Sequence, residues 1–227
     1  GSGTFNLTNG SVTASNLFVG LNASGTGVVN VAGGMLTATN GLVQIGPHGS
    51  GQMNIFGGDT IVRELRLGGS TSGAEGVLRL RGGRLTVLSR LSVNAYDGGG
   101  GDLDDSGGTV VVGESHNASM TVSAGTATNI GTLYIGYSGG YTGTFAQEGG
   151  TVHVLTNVVV GDCVSGAVGN VTLDGGYFFV HNDSGTGVFD VRNGTVTLNP
   201  GATFVPDALV ITNTCGHFVN NGGNLWA

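Results

Sequence analysis

The sequence predicts an all-β fold, a single-stranded parallel β-solenoid (β-helix), and three observations lead to this prediction. A glycine-flanked octet returns about every 25 residues, apolar and polar residues alternate inside it, and glycine or asparagine separates the alternating segments. Alternation with period two is typical of short strands with one buried side. A repeat of about 20 to 50 residues is typical of stacked architectures in which each copy buries its apolar side against the next.

The octet can be followed through ten copies. It reads GTFNLTNG from Gly3, GVVNVAGG from Gly27, GQMNIFGG from Gly51, GVLRLRGG from Gly76, GDLDDSGG from Gly101, ASMTVSAG from Ala118, GTFAQEGG from Gly143, GNVTLDGG from Gly169, GVFDVRNG from Gly187 and GHFVNNGG from Gly216. The commonest spacing predicts about ten coils of ~24–25 residues. A β-sandwich also places turns every 8–12 residues or so, but it does not require one phrase to return ten times.

Each copy contains three short alternating segments. In the first copy their apolar residues are Phe5 and Leu7, Val12 and Ala14, and Leu17 and Val19. These segments are too short and too often interrupted by glycine to be helices. We therefore expect three short strands per coil, with tight corners between them.

Two copies are shorter than the others, from Gly101 to Ala118 and from Gly169 to Gly187. About seven residues are missing in each, which corresponds to one strand and its corner, so we expect two shortened coils there. The repeat otherwise runs through residues 1–227, which predicts one continuous solenoid domain. The chain begins in phase with the repeat and ends partway through a copy, so we expect it to be a segment of a longer protein or fibre.

The composition of the chain argues against nucleic-acid binding and against a membrane span. The chain has fourteen acidic residues and seven basic ones, all of them arginine, which gives a net charge of −7. A nucleic-acid-binding protein needs a basic surface, which this composition does not supply. No apolar stretch approaches the roughly 18 residues of a membrane-spanning helix, so we expect no membrane span.

The densest acidic stretch contains Asp102, Asp104 and Asp105. Three carboxylates within four residues offer the oxygen ligands that Ca²⁺ prefers. In the octet, Asp105 takes a position that is apolar and inward in other copies, and a buried carboxylate without a partner is costly. Either the repeat breaks here or the cluster holds a metal. Calcium is the only cofactor that the sequence suggests.

Six of the seven arginines lie between Arg63 and Arg90. One interpretation is a face that binds anionic glycans, and the other is a ladder of opposite charges on neighbouring coils. The octet alignment supports the ladder, because it pairs Arg79 with Asp104, Asp59 with Arg84, and Glu64 with Arg90. Arg66 and Arg81 have no acidic neighbour in this alignment, so they are the candidate binding residues.

Cys163 and Cys215 both lie in segments that close a coil, two copies apart. At about 4.8 Å per coil their backbones would be separated by roughly 9.6 Å, which exceeds the span of a relaxed disulfide. The intervening copy is one of the short ones, which would let the two loops meet. Both a disulfide and two free thiols therefore stay open.

Catalysis has little support in the sequence. Asp174 and Asp190 fall in adjacent copies, where paired carboxylates of a glycosidase could stand about 5 to 10 Å apart. The long loops and aromatic surfaces that would build a cleft around them are missing. We therefore predict that the protein is not an enzyme.

The phrase G-x-apolar-x-apolar-x-G-G, followed by two short strands and a closing glycine, resembles the autotransporter-associated β-strand repeats. More broadly, it resembles the right-handed parallel β-helices of bacterial secreted and surface proteins. The resemblance covers nearly all of Gly3 to Ala227 and implies an extracellular or cell-surface location. The same scaffold carries adhesins, fibre shafts and polysaccharide-cleaving enzymes.

Two functions follow as expectations. The first is a structural shaft, stalk or filament segment, whose partner is another copy stacked end to end or a longer parent chain. The second is a module that binds or cleaves surface glycans. The outward position of the third strand holds Phe18 and Tyr134 but no continuous aromatic row, which favours the structural function.

Overall fold

The structure, a computed structural model, describes residues 1–69, 74–93, 95–104, 109–112, 117–211 and 213–227. The side chains of residues 93 and 95–104 are not described. These ranges contain strands and turns but no helix, and thus no helix that is long and apolar enough to cross a membrane. The strands form a parallel β-solenoid, as predicted.

The strands are short, and several of them turn a corner and continue onto the next face. The N-terminal strands are β1 (Ser2–Leu7), β2 (Ser11–Thr13), β3 (Leu17–Val19), β4 (Thr26–Val31), β5 (Met35–Ile45), β6 (Ser50–Ile55), β7 (Asp59–Leu67), β8 (Glu75–Leu80), β9 (Arg84–Val93), β10 (Ala95–Asp104) and β11 (Thr109–Val112). The C-terminal strands are β12 (Ala118–Ile135), β13 (Thr142–Gln147), β14 (Thr151–Val160), β15 (Val168–Leu173), β16 (Gly176–Val180), β17 (Val188–Val191), β18 (Gly194–Leu198), β19 (Ala202–Pro206), β20 (Ala208–Ile211), β21 (Gly216–Asn220) and β22 (Asn224–Leu225).

Parallel pairing arranges these strands on three faces. The first face stacks β1, β4, β6, β8, the start of β10, the start of β12, β13, β15, β18 and β21. The second face stacks β2, β5, β7, β9, the end of β10, the middle of β12, β14, β16, β19 and β22. The third face stacks β3, the ends of β5, β7 and β9, β11, the ends of β12 and β14, β17 and β20.

We number the coils 1 to 10 by their segment on the first face. Eight complete coils lie between coil 1 and coil 10, and the described part of coil 10 has strands on the first two faces only. The structure therefore has eight enclosed turns and two terminal ones, close to the predicted number, although the octets at Gly101 and Gly187 do not begin a coil. Each enclosed turn hydrogen-bonds to a coil on either side, which satisfies the backbone of its strands.

The first shortened coil differs from the predicted one. Ala95 pairs with Val77 below and Ser119 above, so coil 5 begins at residue 95 and not at Gly101. The offset between Val77 and Ala95 is only 18 residues, because β9 ends at Val93 and leaves almost no closing loop in coil 4. The predicted loss of a strand between Gly101 and Ala118 is wrong, since coil 5 has segments on all three faces.

The second predicted short coil is also wrong. The octet that begins at Gly187 lies on the third face, where Val188 pairs with Asn157 of the coil below. The next segment of the first face begins at Gly194, opposite Gly169 at an offset of 25 residues. Coil 9 is the other shortened coil, because Gly194 pairs with Gly216 at an offset of 22 residues.

The core is a continuous column of inward side chains from the three faces. Its N-terminal half consists of aliphatic residues such as Val31, Ile55 and Leu80, all fully buried. Its C-terminal half contains a cluster of fully buried aromatic rings with centroids 4.9–6.0 Å apart in edge-to-face pairs, namely Phe145, Phe178, Phe189 and Phe204. Burial of each such side chain stabilises the fold by about 1.5–3 kcal/mol.

The buried residues include a few polar ones, and Gln147 is one of them. Gln147 is 1% exposed and its Nε2 donates hydrogen bonds to the carbonyls of Tyr177 (3.0 Å) and Gly150 (3.3 Å). Both acceptors belong to the backbone at the adjoining corner and the coil above. The side-chain amide of Gln147 therefore links two neighbouring coils by a hydrogen bond inside the core.

The corner after the first face needs glycine. Gly34 has φ +75°, and a Cβ at this position would lie 2.3 Å from the carbonyl oxygen of Gly10 in the coil below. A side chain would therefore be both conformationally strained and in steric conflict. The stacked coils approach each other closely here because Met35 N donates to that same carbonyl of Gly10 at 2.9 Å.

Candidate functional site

The charged pairs of the N-terminal coils agree in part with the predicted ladder. The predicted register is confirmed for Asp59 opposite Arg84 and for Glu64 opposite Arg90. The pairing of Arg79 with Asp104 is wrong, because Arg79 lies opposite Asp97. The reason is the misplaced start of coil 5, which shifts the whole acidic segment from the first face to the second.

The two candidate binding arginines do not form the isolated basic pair that the sequence indicates. Arg66 Nε donates to Glu64 Oε1 at 2.7 Å, two residues earlier on the same strand. The alignment of copies missed this partner because it compared neighbouring coils and not neighbours along one strand. Arg81 follows β8 at the first corner, where its N–H donates to the carbonyl of Ile55. Arg81 also takes part in a further interaction, so it is not without a partner.

The acidic cluster lies only partly within the described residues. Asp102 and Asp104 belong to β10, where they pair with Arg84 and Thr86 of the coil below. Asp105 lies outside the described residues, as do the side chains of the other two. Among the described side chains, no group of three His, Cys, Asp or Glu residues could hold a metal ion. The calcium site stays a prediction.

A disulfide joins Cys163 and Cys215, whose Cα atoms are 6.2 Å apart. Cys163 belongs to the loop between β14 and β15, and Cys215 to the loop between β20 and β21. These loops close coils 7 and 9. They meet because the corner of coil 8 between them is only Arg192 and Asn193 long, so no loop keeps them apart.

The two carboxylates considered for catalysis are not brought together. Asp190 lies on β17 of the third face, and Asp174 follows β15 at the first corner. Asp174 accepts a hydrogen bond from Asn199 Nδ2 at 2.6 Å, and Asp190 accepts one from Arg192 Nε at 2.6 Å. The carboxylate pair that the octet alignment would allow is therefore not formed, and each carboxylate has its own partner.

A surface groove occupies the corner between the third and first faces at coils 6 to 8. Its volume is about 400 Å³, and we call it the Tyr137 groove. The residues that line it are Tyr134, Gly136, Tyr137, Ser138, Val159, Gly161, Asp162, Ser165 and Arg192. These come from three successive coils, so the groove runs along the solenoid axis.

Two tyrosines form the apolar part of this groove. Tyr134 is an outward residue of β12, and Tyr137 begins the loop that follows it. Their rings pack edge to face, with centroids 4.8 Å apart and planes inclined by 72°. Tyr137 is 41% exposed, so part of this aromatic surface faces solvent.

The charged part of the groove contains an arginine and a carboxylate. Arg192 Nε is held by Asp190, which is itself 9% exposed and lies just outside the groove. Asp162 accepts hydrogen bonds from the backbone N–H groups of Val164 and Ser165, each at 3.1 Å. The Ser165 hydroxyl and then these N–H groups lower the pKa of Asp162, so this carboxylate is ionised at neutral pH.

Part of the groove lining is backbone, because Gly136 and Gly161 belong to it. Gly136 has φ +72°, and a Cβ there would lie 2.2 Å from the carbonyl oxygen of Val168. The next coil approaches just as closely at Gly161. The groove is therefore a consequence of the tight closing corners and of the short corner of coil 8.

A second cluster lies on the outside of the second face at coils 7 to 9. The rings of Tyr177 and Phe179 are parallel within 4°, with centroids 6.1 Å apart, and His153 packs edge to face against Phe179. His181 Nδ1 donates a hydrogen bond of 2.5 Å to Oδ1 of Asp207, which belongs to the next coil. His153 alternates with the buried Val152 and Val154 and points outward, and its Nε2 contacts the carbonyl oxygen of His181.

Asp207 organises the loop beside this cluster. Besides His181, it accepts hydrogen bonds from the backbone N–H groups of Gly187 (2.8 Å) and Asn182 (3.2 Å). The hydrogen bond from His181, followed by those from the backbone, holds the pKa of Asp207 below its ordinary value. The ionised carboxylate thus fixes both ends of the loop between β16 and β17.

Sequence reasoning missed the Tyr137 groove and the cluster on the second face. The expected place for an aromatic row was the third strand of each copy, whereas Tyr177 and Phe179 lie on the second face. The octet that begins at Gly187 includes Arg192, although Arg192 and Asn193 together form the corner of coil 8. A usable signal existed, because the segment from Gly136 to Tyr141 combines glycines with two tyrosines.

Comparison with known proteins gives no relative. No family model matches the chain, and neither a curated protein nor a solved structure matches it. The resemblance to autotransporter-associated repeats therefore rests on the repeated phrase, and the structure supports the coarser statement that the chain forms a parallel β-solenoid.

Proposed function

We propose that the protein is a structural segment of an extracellular or cell-surface shaft, stalk or filament. The observation that carries this proposal is the parallel stacking of every coil on its neighbours around one continuous core. At about 4.8 Å per coil, the ten coils give a rod roughly 45 Å long. Such a rod separates whatever is attached to its two ends.

Two further features support a location outside the cell. A disulfide between Cys163 and Cys215 persists in oxidising compartments and is rare in reducing ones. The chain also contains no lysine, and its few charges leave long stretches of strand and tight corner without the basic residues that trypsin-like proteases cleave after. Both properties suit a protein that stays exposed to the medium.

The partner that we propose is the next segment of the same kind, either a second copy or more of a longer chain. Coil 1 pairs with a neighbour on one side only, and so does coil 10. Unpaired strand edges are templates for the addition of further strands. Leu17, Val19 and Phe5 of coil 1 would extend the apolar column into such a neighbour.

The test is localisation by antibody labelling of the native source, followed by cryo-electron microscopy of the labelled material. We expect labelling of intact cells or of their shed fibres, on elongated objects with a repeat near 4.8 Å along their axis. Labelling that requires permeabilised cells would overturn the extracellular location. Labelling of compact particles without this repeat would overturn the shaft.

A further inference from the structure

We propose that the Tyr137 groove is a binding site for a neutral sugar ring. This inference does not depend on the shaft function, since a shaft, an adhesin or a free module could each carry such a site. It uses three properties of the groove, namely an aromatic wall, a donor next to an acceptor, and a balance of charge that disfavours anions.

The aromatic wall offers a surface on which a pyranose can lie. One side of a pyranose ring carries several C–H bonds in a flat array, and such apolar patches pack against aromatic faces. Tyr134 supports Tyr137 by edge-to-face packing, so the exposed ring is held in place before a ligand arrives. Tyrosine also loses little conformational entropy on binding, because it has only two side-chain torsions.

The polar groups of the groove match the hydroxyl groups of a sugar. A guanidinium provides N–H donors only and a carboxylate provides acceptors only, whereas each sugar hydroxyl can do both. Arg192 and Asp162 line the same groove, so neighbouring hydroxyls of one ring could accept from the first and donate to the second. Ser138 and Ser165 add two hydroxyl groups to the lining.

The groove is also rigid, which lowers the entropic cost of binding. The disulfide at Cys163 fixes the loop that carries Asp162 and Ser165. That loop is closed by a hydrogen bond from Asp162 N to the carbonyl of Ala167 at 2.8 Å, and Asn193 Nδ2 donates to the same carbonyl at 2.9 Å. On the other side, Asp190 holds Arg192 from outside the groove.

Charge and size select among possible ligands. Two carboxylates, Asp162 and Asp190, surround the single guanidinium of Arg192, and the chain as a whole carries −7. This field disfavours uronic acids, sulfated glycans and nucleic acids. The volume of about 400 Å³ lies within the range of about 300–1,000 Å³ for small-ligand sites. A neutral hexose at the end or in the middle of an oligosaccharide fits these limits.

The experiment is saturation-transfer NMR of the chain of residues 1–227 with four neutral oligosaccharide series: glucans linked β1,4, glucans linked α1,4, mannans and galactans. Oligogalacturonate serves as the acidic probe. We expect transfer to at least one neutral series, with weaker or no transfer to oligogalacturonate. No transfer to any neutral series, or stronger transfer to the acidic probe, would overturn the proposal.

Variants place the binding in the groove. Tyr137→Ala removes a partly exposed ring and should weaken binding of the responding sugar about tenfold, as judged by titration. Arg192→Lys keeps the charge and loses the planar fork, so it should also weaken binding. The matched control is Tyr177→Ala, which removes an exposed tyrosine from the second face. Equal affinity in Tyr137→Ala and the unmodified chain, or an equal loss in Tyr177→Ala, would show that the sugar binds elsewhere.

Discussion

The side-chain amide of Asn54 donates a hydrogen bond of 2.7 Å to the amide oxygen of Asn30, one coil away. Asn30 in turn donates a bond of 2.7 Å to Asn6. Equivalent positions on the first face thus form a ladder of amides that runs parallel to the backbone hydrogen bonds. The ladder ends at coil 4, where Arg79 takes the corresponding position.

Substitution of the middle residue of this ladder should be more harmful than substitution of its end. Asn30→Ala removes two hydrogen bonds and leaves Asn54, which is 6% exposed, without its acceptor. We expect a loss of about 1–3 kcal/mol of stability, measured by urea denaturation. Asn6→Ala removes one bond at an exposed position and serves as the control. Equal effects of the two substitutions would contradict a cooperative ladder.

Two glycines at equivalent corners of neighbouring coils allow the cost of backbone strain to be distinguished from the cost of steric conflict. Gly10 and Gly34 have φ values of +79° and +75°, but a Cβ meets nothing within 4 Å at Gly10 and a carbonyl oxygen at 2.3 Å at Gly34. Gly10→Ala should cost about 1–2 kcal/mol from backbone strain alone. Gly34→Ala should cost clearly more and lower the thermal midpoint further. A smaller effect at Gly34 would mean that the coils can separate at this corner.

Loss of the disulfide should destabilise the last coils. The bond closes a loop with a sequence separation of 52 residues, for which loop entropy predicts about 4 kcal/mol. The double variant Cys163→Ser/Cys215→Ser should therefore unfold at lower urea and exchange amide hydrogens faster in coils 8 and 9. Reduction of the unmodified chain is the internal control and should give the same pattern. Unchanged exchange in those coils would show that packing of the phenylalanine cluster is sufficient.

Acid should weaken the loop between β16 and β17 through Asp207. The pKa of this carboxyl is lower in the folded chain than its ordinary value of 3.8, because His181 and two backbone N–H groups bond to the ionised form. Its contribution is therefore present above about pH 4 and is lost as the pH falls through the folded pKa. We expect the thermal midpoint to drop as the pH is lowered below about 4, and to drop less in Asp207→Asn.

Asp183→Asn, in the exposed part of the same loop, is the matched control for this titration. It should keep the acid dependence of the unmodified chain. If Asp207→Asn and Asp183→Asn respond to acid alike, the hydrogen bonds at Asp207 do not account for the stability of the loop.

The repeated phrase predicts those parts of the structure that depend on strand alternation. Asn6, Asn30 and Asn54 share the fourth position of their octets and stack on one another, and Gln147 takes the fifth, inward position of its octet. The repeated phrase does not identify the face of a segment when segments of two faces have the same pattern. The segment that begins at Gly187 has glycines and alternating apolar residues like any octet, yet it belongs to the third face.

The groove could not be predicted for a related reason. Strand alternation determines which residues point inward, whereas the groove depends on the lengths of closing corners, which vary from coil to coil. Arg192 lines the groove because the corner of coil 8 is short while the loop that carries Asp162 is long. Likewise, the missing loop after Val93 leaves no mark in the apolar pattern, so the start of coil 5 was assigned too late.

The disulfide between coils 7 and 9 has a mechanical consequence. A solenoid under tension from its ends unravels one coil at a time, because each coil is held mainly by its neighbours. The residues between Cys163 and Cys215 form a closed loop, so they cannot add to the extended length while the bond is intact. At about 3.3–3.6 Å per residue, roughly 170–190 Å of chain stays out of reach of the pulling force. Reduction would make this length available to the pulling force, so the intact bond limits how far the rod can extend.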